Sequence, residues 1–248
     1  MRSIDYLRRY ANIKKYGNKY KLTIFNCMPA KGGGGVRGVN DHKLSCNISR
    51  TKARIFELAI CNPWDYFITC TLNKDRYDRT NLKKFQKDLS QFIRDQRKKY
   101  KVDIKYLLIP ELHSDMISWH MHGLVRGISE DMIADFDPDK HPIDLIRKGY
   151  KNWPDYERKF GFVSLGKIQS EEAVAKYITK YITKDVAKNV SEVGSRMFYS
   201  SIGLKGSELI KEGTLHTHPE SKYDYKNDYV SIVWLSEQEV KMCLLAME

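Results

Sequence analysis

The stretch YLLIPELHSDMISWHMHGLVR, residues 106–126, constrains the fold more than any other part of the chain. Its two halves, Tyr106–His113 and Trp119–Val125, are β-prone runs, and Ser114, Asp115 and Ser118 between them favour a turn. The expectation is a pair of short antiparallel strands. Alternate side chains of a strand share a face, so His120 and His122 emerge together from the second strand. On the first strand Leu107, Ile109, Glu111 and His113 share a face, which sets Glu111 or His113 beside the histidine pair across the ladder. Two imidazoles and a carboxylate on one face suit a divalent metal with positions left open for substrate. An ordinary hairpin with one surface histidine and one hydrogen-bonded histidine satisfies the same spacing. His-x-His alone does not decide between them.

With 248 residues the chain can build one large domain or two small ones with a proper core. Its 43 Lys and Arg against 31 Asp and Glu give a net charge of +12 and a pI near 9.3. Residues 1–60 hold 13 of the cations and 3 of the acids. Such asymmetry points to a polyanionic partner, most often nucleic acid, with a merely soluble basic surface as the plainer alternative. The opening MRSIDYLRRY lacks the apolar core of a signal peptide, and no run approaches a membrane span, so a cytoplasmic chain with no membrane partner is expected. Cys27, Cys46, Cys61, Cys70 and Cys243 contain no Cys-x-x-Cys pair, which fits reduced thiols better than disulfides or zinc.

In chain order, residues 1–19 are basic and aromatic and suit a short helix or a disordered arm. Tyr20–Phe25 is a candidate strand, and the glycines from Gly32 to Gly38 are not in the order of a nucleotide-binding loop. Ser49–Ala59 looks helical. Trp64–Leu72 reads as a central strand, with Phe67, Thr69 and Thr71 on one face, so that the threonines approach the hairpin. Asn81–Tyr100 is the clearest helix, with an apolar stripe of Leu82, Phe85, Leu89, Phe92 and Ile93. Residues 129–160 form an excursion with a short helix around Ile143–Lys148. Gly161–Ile168 returns as a strand, and Tyr223–Glu248 adds a strand and a helix.

Ser170 then caps a helix, EEAVAKYITKYITKDVAK, whose stripe of Ala175, Ile178, Ile182 and Val186 is buried. Tyr177 and Tyr181 lie one turn apart on another face, bordered by Lys176, Lys180 and Lys184. Tyrosines beside lysines suit contact with a nucleic-acid backbone. They also suit attack on a phosphodiester, because positive charge favours the phenolate. An amphipathic surface helix with tyrosines at its rim reads equally well from these residues alone.

Taken together in order, FITCTL at 67–72, PELH at 110–113, WHMHGL at 119–124 and YITKYITK at 177–184 resemble one known family. It is the rolling-circle replication initiators of the His-hydrophobe-His (HUH) endonuclease superfamily, in the two-tyrosine form found in small phages and plasmids. SRTKARIFELAICNPWDYF at 49–67 and FYSSIGLK at 198–205 also look like this family, so the resemblance runs from Ser49 to Lys205.

The resemblance implies an α+β fold, a central antiparallel sheet flanked by helices, in an RRM-like palm. It implies an endonuclease domain at 49–205, after a basic arm and Gly-rich loop at 1–48, with a C-terminal extension at 206–248 packed on the same domain. The implied activity is a site-specific nickase and strand transferase acting on single-stranded DNA at a replication origin. His120 and His122 would bind Mg²⁺ or Mn²⁺, with Glu111 as third ligand and His113 as the alternative. Tyr177 or Tyr181 would attack, leaving a 5′-phosphotyrosine and a free 3′-hydroxyl, and Lys180 and Lys184 would steady phosphate charge. A host helicase and polymerase would be partners, since the chain has no helicase-like phosphate-binding motif. A relaxase or transposase shares this chemistry, and a non-catalytic nucleic-acid binder would need neither metal nor tyrosine.

Overall fold

A computed structural model describes residues 9–25, 41–183, 186–187, 189–190, 194–216, 223–226 and 230–248. In chain order the elements begin with β1 (Arg9–Tyr16), β2 (Lys19–Phe25), α1 (Asp41–Ile60), β3 (Tyr66–Cys70) and α2 (Leu82–Tyr100). They continue with β4 (Lys105–Leu112), β5 (Trp119–Arg126), β6 (Ala134–Asp135), α3 (Ile143–Arg147), β7 (Lys151–Asn152), α4 (Pro154–Lys159) and β8 (Val163–Lys167). The remainder are α5 (Glu171–Ile178), β9 (Tyr199–Ser200), β10 (Glu208–Leu215), β11 (Tyr225–Lys226), β12 (Val230–Leu235) and α6 (Glu237–Leu245). The fold is α+β, with antiparallel sheets flanked by helices, as the sequence predicts. No helix of the described residues is long and apolar enough to cross a membrane.

The chain divides into two compact units, Val39–Lys205 and Met1–Gly38 with Gly206–Glu248. In the larger unit the strand order is β6-β7-β8-β3-β5-β4-β9, with antiparallel pairing throughout. β3 lies between β8 and β5, the central position its apolar and β-branched residues predict. One face of the sheet meets α2: Ile68, Cys70, Leu108, Met121 and Val125 form a continuous core with Leu82, Phe85, Leu89, Phe92 and Ile93. Burying a side chain of this size stabilises by roughly 1.5–3 kcal/mol. Asn81 starts α2 by accepting the backbone N–H of Lys84 at 3.0 Å, and Lys101, at φ 55°, ends it.

The alternate residues point to the opposite face. There Leu107, Ile109 and Leu124 are fully buried, and α1 packs against β4 and α5. Trp119, next to the histidine pair, belongs to the α2 core and is structural. In the 129–160 excursion α3 falls where expected, whereas β6, β7 and α4 do not show in the sequence pattern. The two strands are only two residues long, too short for any period to register.

The smaller unit corrects the reading of the chain ends. Its sheet has the order β10-β1-β2-β12-β11, so residues 9–16 are an inner strand rather than a helix or an arm. Ala11 and Ile13 alternate with Asn12 and Lys14 and are completely buried with Leu22, Ile24, Val233 and Leu235, against Val240 and Cys243 of α6. Ser236 and Glu239 close a capping box at the start of α6. The segment 206–248, expected as an extension of the 49–205 domain, thus pairs with the N-terminal strands. β12 and α6 are the strand and helix anticipated there; β10 is additional. Residues 1–8 and the glycine-rich loop lie outside the described residues.

Candidate active site

The β4–β5 hairpin holds the site by register. Glu111 pairs with His120 and Ile109 with His122, while β3 sets Thr69 opposite His122. The turn is built by Asp115, which accepts the N–H groups of Ile117 and Ser118 and the Ser118 hydroxyl, with Met116 at φ 58°. Gly123 follows the pair because nothing larger fits. A Cβ there would lie 2.1 Å from the carbonyl oxygen of Leu107 and 2.8 Å from the Cα of Leu108.

The two imidazoles are held from below. The Thr69 hydroxyl lies 3.2 Å from Nδ1 of His122, and the Thr71 hydroxyl 3.4 Å from Nδ1 of His120. With both Nδ1 atoms engaged, both Nε2 atoms remain toward the open side. His122 Nε2 meets the Glu111 carboxylate at 2.7 Å, and that contact, with the nearby His120 and Lys180, lowers the Glu111 pKa despite burial. Burial, reinforced by the neighbouring His113 and His122, pushes His120 down to about 4, so its imidazole is neutral at physiological pH. His113 stacks on His120 with 4.7 Å between ring centres and accepts or donates at Nδ1 with the Ser114 hydroxyl, 3.2 Å away.

α5 delivers the tyrosines. Ser170 caps it by accepting the N–H of Ala173, and Ala175, Ile178, Ile182 and Val186 are buried as the stripe predicts. The helix is shorter than its sequence suggests. It ends at Ile178, passes through a single 3₁₀ turn at Thr179–Tyr181, and the Thr179 hydroxyl donates to the Lys176 carbonyl at 2.8 Å. Such back-bonding by a β-branched residue competes with the regular ladder.

The tightened turn brings both tyrosines onto the histidine face. Tyr181 stacks on His122 with 4.5 Å between centres and 9° between planes. Its hydroxyl donates to that of Tyr177 at 3.0 Å. Phe67 lies beneath both rings, 5.3 Å from Tyr177 and 6.2 Å from Tyr181. Sequence reasoning passed over Phe67, although its alternation with Thr69 and Thr71 places it on this face. Lys180 Nζ sits 3.6 Å from the centre of the Tyr177 ring. Lys184 lies outside the described residues.

The tyrosine environments differ, contrary to what their matching lysine spacing suggests. Tyr177 is 44% exposed. Burial would raise its phenol, but the Lys180 ammonium and the hydroxyl of Tyr181 outweigh that and lower it. Tyr181 is raised, by burial first and then by its bond to Tyr177 and the charge of Glu111. No three His, Cys, Asp or Glu side chains among the described residues converge as a ready-made metal cage, since Glu111 and His122 bond to each other. The donor chemistry does fit a divalent ion: two Nε2 atoms with their partner nitrogens engaged, one imidazole held neutral, and a carboxylate within reach.

A sheet that presents a histidine pair and a carboxylate to two tyrosines on an adjoining helix defines the class: an α+β protein with a polar, charged site equipped for phosphate chemistry. Residues 65–186 match the Replication-associated protein ORF2 family, and through this segment the chain belongs to that family of rolling-circle replication initiators. The matched segment contains Phe67, Thr69, Thr71, Glu111, His113, His120, His122, Tyr177, Lys180 and Tyr181. No curated protein and no solved structure matches the chain.

Proposed function

We propose that the protein starts rolling-circle replication by nicking single-stranded origin DNA through a tyrosine and later rejoining the strand. The observation that carries this reading is the meeting of nucleophile and ligand set, with Tyr181 stacked on His122 and hydrogen-bonded to Tyr177. His120, His122 and Glu111 would hold Mg²⁺ or Mn²⁺, with His113 as the alternative to Glu111. When bound, such an ion supplies Lewis-acid polarisation of the scissile phosphate. Thr69 and Thr71 hold the imidazoles in the tautomer that leaves Nε2 free.

Tyr177 attacks first. Its proton passes to solvent, and its oxygen forms a bond to phosphorus as the bond from phosphorus to the 3′-oxygen breaks. The departing oxygen takes a proton from solvent, leaving a 3′-hydroxyl that primes synthesis and a 5′-phosphotyrosine. Lys180 offsets charge on the phosphate, and Lys184, on its spacing alone, is assigned the same part. In rejoining, a 3′-hydroxyl attacks the phosphotyrosine and returns the tyrosine. Tyr181, one turn away, receives the second strand while the first is still held. A host helicase and polymerase complete the cycle, in the cytoplasm of a bacterial host. The test is incubation with a single-stranded origin oligonucleotide and Mn²⁺. A detergent-resistant adduct is expected, and its absence with every divalent ion would overturn the proposal.

A further inference from the structure

Two family-like motifs, SRTKAR and FYSS, take no part in the site above, yet they come together elsewhere. A cavity of about 550 Å³ opens between α1, α2 and the segment leading into β9, lined by Arg50, Tyr106, Arg196, Phe198 and Tyr199 among others. Asn47, Arg50 and Thr51 reach it from α1 at the spacing of one helix face. It continues into a second hollow lined by Lys83, Ser195 and Arg196, with Gln86 and Tyr199 shared by both. Tyr106 alternates with Leu107 on β4 and so stands on the opposite side of the strand from Glu111. β9 is the edge strand, so this cleft is at the rim of the sheet.

The lining carries three cations and no carboxylate. None of Arg50, Lys83 and Arg196 has a salt-bridge partner among the described residues, although the chain pairs many of its other lysines and arginines. The Ser195 hydroxyl is shielded and has no hydrogen-bond partner among the described residues. Unpaired cations beside aromatic rings, in a groove at a sheet edge, are the chemistry that tracks a single-stranded nucleic acid: charge for the phosphates and rings for the bases. A cavity of this size is within the range of about 300–1,000 Å³ that takes a nucleotide-sized ligand.

We infer that this cleft is a second binding site for single-stranded DNA, which holds a part of the strand outside the nicking site through Arg50, Lys83 and Arg196. The inference rests on the nickase reading for its biological sense, and its test does not depend on cleavage. Binding of a labelled fifteen-nucleotide oligo(dT) is measured in EDTA across a salt series, for wild type and for Arg50→Ala/Lys83→Ala/Arg196→Ala. The triple variant should bind about tenfold or more weaker. Its log K against log salt slope should be shallower by about 2, at roughly 0.7 for each phosphate no longer neutralised. Nicking of an oligonucleotide confined to the cleavage site should keep its rate. Arg50→Lys/Arg196→Lys should retain most of the slope, which a merely structural role for the two arginines would not predict. In wild type, oligo(dT) should also protect Arg50 and Arg196 from phenylglyoxal modification read by mass spectrometry. An unchanged slope in the triple variant, or no protection in wild type, overturns the cleft site. Absence of an adduct in wild type would instead overturn the nickase reading.

Discussion

The ring of Tyr181 lies flat on the imidazole of His122, nearly parallel to it, and passes its hydroxyl proton toward Tyr177. This one contact ranks two tyrosines that the sequence presents as equivalent. Tyr181 is held by stacking and burial, while Tyr177 is exposed beside an ammonium. The attacking species is the phenolate, so a lowered phenol is the more populated nucleophile at a given pH, by tenfold for each pKa unit.

The pH dependence of nicking follows. Initial nicking should rise with pH and level off below pH 10 in wild type and in Tyr181→Phe. Tyr177→Phe, left with the raised phenol of Tyr181, should nick about tenfold slower or worse near neutrality, and its rate should still be climbing at pH 10. Identical profiles for the two single variants would remove the ranking.

Replacing His120 or His122 by alanine should abolish cleavage while most DNA affinity remains, because phosphate contacts elsewhere supply the binding. Glu111→Ala should be more damaging than His113→Ala, since Glu111 touches His122 directly while His113 is exposed and stacks on His120. Cleavage rates measured against Mn²⁺ concentration decide this, and the reverse order would exchange the two residues' roles.

Thr69→Val removes the group that engages His122 Nδ1. Apparent Mn²⁺ affinity should fall about 10- to 100-fold, the usual cost of losing such a support. Thr69→Ser should restore it, whereas equal loss in both variants would point to packing rather than hydrogen bonding.

Gly123→Ala should destabilise the larger unit by about 3 kcal/mol or more, because its Cβ would press on backbone rather than on a movable side chain. Urea unfolding measures the loss, and a shift under about 1 kcal/mol would contradict the packing described.

Much of this is legible in the residues. Period-2 alternation in β3, β4 and β5 fixes which side chains share a face, so Thr69, Glu111, His120 and His122 can be grouped from the sequence alone. The stripe of α2 and the cap at Ser170 follow from equally local rules. What is not legible depends on distant pairing. Residues 9–16 become a strand because β10, some two hundred positions later, supplies their hydrogen bonds, and no local signal in RYANIKKY announces that. One consequence is that deleting residues 1–19 removes an inner strand, so such a deletion cannot serve as a clean test of DNA contact. The early end of α5 and the stacking of Tyr181 likewise depend on the tertiary placement of His122.

The most direct measurement is the position of the covalent bond. Wild-type protein incubated briefly with a single-stranded origin oligonucleotide and Mn²⁺ is digested, and the peptide carrying the nucleotide is sequenced by mass spectrometry. The account predicts label on Tyr177 at early times, label on Tyr181 as second transfers accumulate, and none in Tyr177→Phe/Tyr181→Phe. An adduct that survives in the double variant, or maps to any other residue, would contradict it.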